Sequence, residues 1–166
     1  SAELKKGTAQ ITLTNSGSKP LMADAVRMTR TLIAGTTAMT FDNLDANTVH
    51  SGAVAQWKKG LTDGRYIGAD YELATGENSD STFFRWPVEV YGAGLWKVEV
   101  YLPEGSGQTD LSSAVYYEIV HKNKTDTVTL DHSKKTGWAE LGCWEFTRDA
   151  ESISVIPATA PKFPSI

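Results

Sequence analysis

Cys143 is the one cysteine in the chain, which excludes an internal disulfide and any thiolate cage for a metal, so stability has to come from an apolar core. Histidine is almost as scarce. His50, His121 and His132 stand far apart, and none has a second histidine at the spacing a metal site uses. No apolar run approaches the roughly 20 residues that cross a bilayer, and the first residues lack the charged-then-apolar pattern of a signal peptide. Charge of neither sign is gathered in a block. The 16 Lys and Arg and 20 Asp and Glu, net -4 over 166 residues, leave no electrostatic footprint for nucleic acid or an anionic membrane. The Gly-x-Ser-x-Gly elbow and the phosphate-cradling glycine loop followed by Lys-Ser or Lys-Thr are also missing. The expectation is a protein that is not an enzyme, has no cofactor, and neither binds nucleic acid nor inserts into a membrane.

Present instead is a two-residue period. Thr8-Ala-Gln-Ile-Thr-Leu-Thr14 alternates, Asn15-Ser-Gly-Ser-Lys-Pro20 supplies turn chemistry, and Met22-Ala-Asp-Ala-Val-Arg-Met28 follows as a second strand. The weakly polar span from Thr31 to Thr40, with Gly35 inside it, suits a connector or boundary. Beyond Phe41 the pattern predicts a loop at Asp42-Asn-Leu-Asp45, a strand near Val49 to Trp57, and a turn at Lys58-Lys-Gly60. A glycine-bracketed aromatic loop, Asp63-Gly-Arg-Tyr-Ile-Gly-Ala-Asp-Tyr71, comes next. Phe84 and Trp86 share a face, and Pro87, without a backbone donor, is expected to end regular pairing. Trp96, Val98, Val100 and Leu102 take one face of a strand while Lys97, Glu99 and Tyr101 take the other. Val115 to His121 and Thr127 to Asp131 form a hairpin, Gly137 to Phe146 is strand with a glycine at its kink, and Ser152 to Ile156 closes the series. Many short strands and no long 3.6-residue period predict an all-β, antiparallel, jelly-roll-like sandwich. Cys143, between Gly142 and Trp144, is expected to be a buried, inert thiol.

Tyr66-Ile-Gly-Ala-Asp-Tyr71 with Ala74, Phe84-Arg-Trp86, Trp96 to Pro103, Tyr117 to His121, and Gly137-Trp-Ala-Glu-Leu-Gly142 leading to Phe146 are spaced as a set. Over residues 41 to 157 the chain resembles the golvesin C-terminal-like domain, also described as the xanthan-lyase carbohydrate-binding-like domain, a bacterial β-sandwich. That resemblance implies a secreted or cell-surface accessory module that is not itself catalytic and that positions an exported protein on polysaccharide. One feature is rotated. Domains of that family end on an Ala-Asp-Ala-Val-Arg strand, whereas here Met22-Ala-Asp-Ala-Val-Arg27 stands near the start. Residues 8 to 28 then pair as an added or permuted edge of this sandwich, complete a neighbouring chain's sandwich, or belong to a preceding repeat. The expected organisation is residues 1–35 as strand pair and connector, 36–157 as the sandwich, and 158–166 as a tail. An alternative role is structural or adhesive, with strands added to neighbouring domains or chains.

Sugar-binding sandwiches stack the C–H face of a pyranose on aromatic rings. Candidates are Trp57, Tyr66, Tyr71, Tyr101, Tyr116, Trp138 and Trp144, with Asp63, Arg65, Asp70 and Glu72 as polar neighbours. Packing competes for every one of these rings. Trp138 and Trp144, six residues apart, share a face only if the strand runs unbroken, and Gly142 argues for a bulge. Asp42-Asn-Leu-Asp45 with Asn47 has the oxygen composition calcium prefers, Asp42 and Asp45 being the candidate ligands, but the glycine and closing glutamate of the twelve-residue calcium loop are absent.

Overall fold

The computed structural model of the chain describes residues 7–15, 19–31, 38–45, 48–51, 57–60, 65–74, 83–90, 92–104, 110–122 and 124–147. They form twelve strands: β1 (Gly7–Asn15), β2 (Leu21–Ala23), β3 (Ala25–Arg30), β4 (Ala38–Asp42), β5 (Val49–Ser51), β6 (Trp57–Gly60), β7 (Tyr71–Ala74), β8 (Phe83–Val90), β9 (Gly94–Leu102), β10 (Val115–His121), β11 (Lys124–Leu130) and β12 (Gly137–Phe146). Every pairing between them is antiparallel. A five-stranded sheet, β11-β10-β1-β8-β5, faces a four-stranded sheet, β12-β9-β3-β4, and a small sheet, β2-β7-β6, lies beside them. The protein is an all-β sandwich.

Alternation builds the interior. Ile11, Leu13, Phe84, Trp86, Val88, Tyr117 and Ile119 from the first sheet meet Val26, Met28, Trp96, Val98, Val100, Leu102 and Phe146 from the second in one buried cluster. The small sheet divides its residues between two interiors: Leu21, Ala23 and Ala74 join the main core, while Met22 and Tyr71 pack with Leu111, Tyr66 and Leu73. A single alternating register explains the split, because successive side chains point to opposite faces.

Of the N-terminal strands only β2 is an edge, in the small sheet. β1 lies between β10 and β8, and β3 lies between β9 and β4, each hydrogen-bonded on both sides. Between β2 and β3 the chain breaks at Asp24, whose carboxylate accepts from the Ile67 amide, so the expected single strand from Met22 to Met28 is two strands in two sheets. Three further local expectations fail for reasons the neighbours supply. Pro87 sits inside β8, opposite Gln10 of β1. Among the described residues the other flank of β8 is paired only at Phe83–Arg85, so a residue without a donor meets no described strand there. Lys58 and Lys59 belong to β6 rather than a turn, on an outer strand where lysine discourages further pairing. The run from Val49 toward Trp57 is split between β5 and β6, in different sheets. The strand expected over Ser152 to Ile156 lies outside the described residues.

β12 carries a register shift between Glu140 and Gly142, where one extra residue, Leu141, is accommodated. Before it, Trp138 points outward with Tyr101; after it, Trp144 points inward, opposite Trp96. The same shift turns Cys143 to the outer face beside Lys97, and the thiol is exposed rather than buried.

Gly60 shows how tightly the small sheet is packed. A Cβ there would lie 2.1 Å from the ring of Tyr71, its cross-strand partner, and Tyr71 is buried. Gly60→Ala is expected to cost about 1–3 kcal/mol, the usual penalty of overpacking, in urea unfolding. An unchanged midpoint would show that the ring is free to move aside.

Candidate functional site on the outer face of the four-stranded sheet

Outward-pointing residues of β3, β9 and β12 line up in rows across this sheet. One row is Arg27–Glu99–Glu140, and the next is Ala25–Tyr101–Trp138. Glu99 is only 7% exposed although it faces outward, because two cations cover it. Arg27 places Nε and Nη2 each 2.9 Å from Glu99 Oε2, and Lys97 Nζ lies 3.1 Å from Oε1. Burial pushes the Glu99 carboxyl upward, but hydrogen bonds from Arg27 and Lys97 outweigh it and hold the group below the usual glutamate range. The Arg27 guanidinium also lies 4.1 Å from the centre of the Trp138 ring, and Tyr101 meets that indole edge-on with centroids 5.2 Å apart. Trp138 and Tyr101 are both half-buried. The result is a pinned pair of aromatic rings ringed by Arg27, Lys97, Glu99 and Glu140. Tyr101 also feels Glu104, Asp24 and Arg65, and burial with the first two raises its phenol while Arg65 opposes.

At the Ala25–Asp42 end of this row the turn from Arg65 to Asp70 closes over the sheet. Asp24 is 1% exposed there, and burial, with Asp42 and Asp70 nearby, raises its carboxyl to about 7 against the pull of the Ile67 amide. Asp42 is also raised, chiefly by burial. Its carboxylate lies where a side chain on Gly68 would be: a Cβ there would fall 2.2 Å from Asp42 Oδ2, and Gly68 has φ +72. Asn43 Nδ2 donates to Asp70 Oδ1 at 2.9 Å and Lys59 Nζ donates to Oδ2 at 2.7 Å. Burial works to raise Asp70, yet these two donors lower it.

The candidates chosen from sequence are dispersed. Tyr71 is buried over Gly60, and Tyr66 is half-buried against it, with centroids 6.3 Å apart. Asp70 is spent on Lys59 and Asn43, Arg65 is exposed near Tyr101, and Glu72 pairs opposite Lys59. Tyr116 lies on β10, in the other sheet. Trp144 donates its indole N–H to Asp126 Oδ2 at 2.8 Å, the carboxylate oxygen that also lies 2.8 Å from His121 Nε2, so this ring closes the rim between β11 and β12. The Trp57 side chain and Asp63 lie outside the described residues. Asp45 Oδ2 accepts from the Asp42 amide, so it is bound to the loop's own backbone. Trp138, Tyr101 and Arg65 are the candidates the fold gathers at one end of one face.

Residues 39–162, well over half of the chain, match the golvesin C-terminal domain. The chain belongs to that family. No curated protein and no solved structure matches it. Membership places this golvesin domain among bacterial extracellular accessory domains, and no helix among the described residues is long and apolar enough to cross a membrane. The match begins inside β4, so β1, β2 and β3 precede it, yet β1 and β3 occupy interior positions in both large sheets. Arg27, which holds Trp138 and Glu99, therefore comes from outside the matched region. Sequence reasoning passed over Arg27 and Glu99 as site residues. Alternation put Glu99 on the face of Tyr101, but which strand lies alongside is a long-range fact without a local signal.

Proposed function

We propose that this golvesin domain is a non-catalytic module of an exported bacterial protein that binds polysaccharide through the outer face of its four-stranded sheet. The observation that carries the reading is the half-exposed Trp138 ring, fixed by Arg27 and Tyr101 and bordered by charged groups able to hydrogen-bond hydroxyls. A ring already held in place loses little freedom when a sugar stacks on it, and its charged neighbours fix orientation. Bound this way, the domain would raise the local concentration of an attached protein on its polymer. The assembly alternative has less support, since the strands it would donate, β1 and β3, already have partners on both sides in this chain.

The test is retention on insoluble polysaccharides and affinity electrophoresis against soluble ones. Trp138→Ala is expected to weaken binding about tenfold or more, equivalent to about 1.4 kcal/mol, with an unchanged circular dichroism spectrum. Binding that persists undiminished in this variant refutes the assignment to this face, and product release from a polysaccharide would refute the non-catalytic role.

A further inference from the structure

Three buried oxygens behind the Arg65–Asp70 turn accept no hydrogen bond from any described residue: Asp24 Oδ1, Asp42 Oδ1 and Asn43 Oδ1. Buried acceptors are almost always paired, and one left unpaired is costly. These three belong to one connected group. Asp24 interacts electrostatically with Asp42 and Asp70, Asp42 with Asp70, and Asn43 is hydrogen-bonded to Asp70. The second branch of Asp24 and of Asn43 is already engaged: Asp24 Oδ2 accepts from the Ile67 amide, and Asn43 Nδ2 donates to Asp70. Because the amide nitrogen of Asn43 is committed, its oxygen is fixed as an acceptor without a donor, on a side chain only 3% exposed.

Charge leads the same way. Asp24, Asp42, Asp45 and Asp70 lie together, and the Lys59 ammonium is given to Asp70 alone among them. Negative charge buried without a counter-charge is expensive, and the missing partner is a cation small enough to meet several oxygens at once. Among the described residues no three Asp, Glu, His or Cys side chains form a metal cluster. The oxygens reach three only with the amide of Asn43, a mixed carboxylate and carbonyl set with no nitrogen or sulfur, which is the preference of calcium.

We propose that Asp24, Asp42 and Asn43 bind one calcium ion through these three oxygens, with water completing the coordination, and that the ion clamps the Arg65–Asp70 turn and β4 onto β3. The site stands on different residues from the polysaccharide face and does not depend on it. Asp45, the partner expected for Asp42 from the sequence, is replaced in this set by Asp24, brought in from the start of β3.

The full chain is freed of metal with EDTA, then titrated with calcium chloride by calorimetry and followed by thermal unfolding. One ion per chain and a midpoint raised by several degrees at about 1 mM calcium are expected. Asp24→Asn and Asn43→Ala are each expected to weaken the affinity about tenfold or more, whereas Glu140→Gln, on the outer face of β12, leaves it unchanged. Titration of the unmodified chain stands even if a variant fails to fold. Absence of heat and of any midpoint shift at about 10 mM calcium overturns the site. So does a loss in Glu140→Gln matching that in Asp24→Asn.

Discussion

A chain lacking residues 1–31 is expected to show no cooperative unfolding transition, even though every residue of the golvesin match is retained. The segment carries Ile11, Leu13, Leu21, Met22, Val26 and Met28, all buried. At roughly 1.5–3 kcal/mol for each buried side chain, their loss removes on the order of 9–18 kcal/mol, against a typical total stability of about 5–15 kcal/mol. The backbone suffers as well. Without β1, the strands β10 and β8 face each other across an empty position, and without β3 the same holds for β9 and β4. Their exposed ladders lose partners that water reaches only if the sandwich opens. Loss of near-ultraviolet circular dichroism and of a sigmoidal urea curve is the expected reading, and self-association through the unpaired edges follows from the same cause. Addition of a peptide of residues 1–31 is expected to restore the transition. A truncated chain that stays monomeric and unfolds cooperatively would show that β1 and β3 merely occupy places another segment can fill.

What the sequence disclosed and what it hid divide along the range of the interactions. Trp96, Val98, Val100 and Leu102 were legible as one buried face because alternation is local, and all four are in the core. The same rule placed Glu99 outward, correctly; it is buried nonetheless because Arg27, 72 residues away, lies on the neighbouring strand. Pro87 and Lys58-Lys59 misled in the same manner: a proline is harmless where the adjacent strand is short, and two lysines suit an outer strand as well as a turn. The bulge at Leu141 decides three side chains at once, turning Trp144 inward, keeping Trp138 outward and exposing Cys143. Gly142 announced a bulge without giving its position. Trp138 was therefore legible as a candidate ring, while its setting against Arg27 and Tyr101 was not, since that depends on β3 lying beside β9.

Between about pH 4 and 6.5 the calcium-free protein is expected to show nearly flat stability, concealing two steep and opposite contributions. His132, fully buried in the 3-10 turn after β11, places Nε2 2.8 Å from the Tyr117 hydroxyl. Burial lowers its pKa from 6.5 to about 3, against the opposing pull of Asp131, and burial raises the Tyr117 phenol, so the hydrogen bond joins a neutral phenol to a neutral imidazole. An unfolded chain protonates this histidine near its ordinary value and the folded one does not. Its contribution is complete above about pH 6.5 and is lost as pH falls toward 3, at up to about 1.4 kcal/mol per pH unit. Asp24 runs the other way. Its folded pKa of about 7 lies above the ordinary 3.8, so the folded state holds a proton that the unfolded state gives up, and that contribution is complete below about pH 3.8 and is lost as pH rises to 7. Asp42, raised in the same sense, adds to Asp24. Asp24→Asn is expected to uncover the histidine, with urea midpoints that climb from pH 4 to 6.5; His132→Gln is expected to uncover the carboxyls, with midpoints that fall over the same range. Below about pH 4 the lowered carboxyls of Asp70, Glu99, Asp126, Asp131 and Glu145 lose their own contributions, so acid unfolding steepens in both variants. Flat profiles in both variants would mean that neither buried group changes its proton affinity on folding. Tyr117→Phe separates packing from protonation: it removes the hydrogen bond to Nε2 and is expected to cost about 1–3 kcal/mol at pH 7, where the histidine is predominantly neutral in both states.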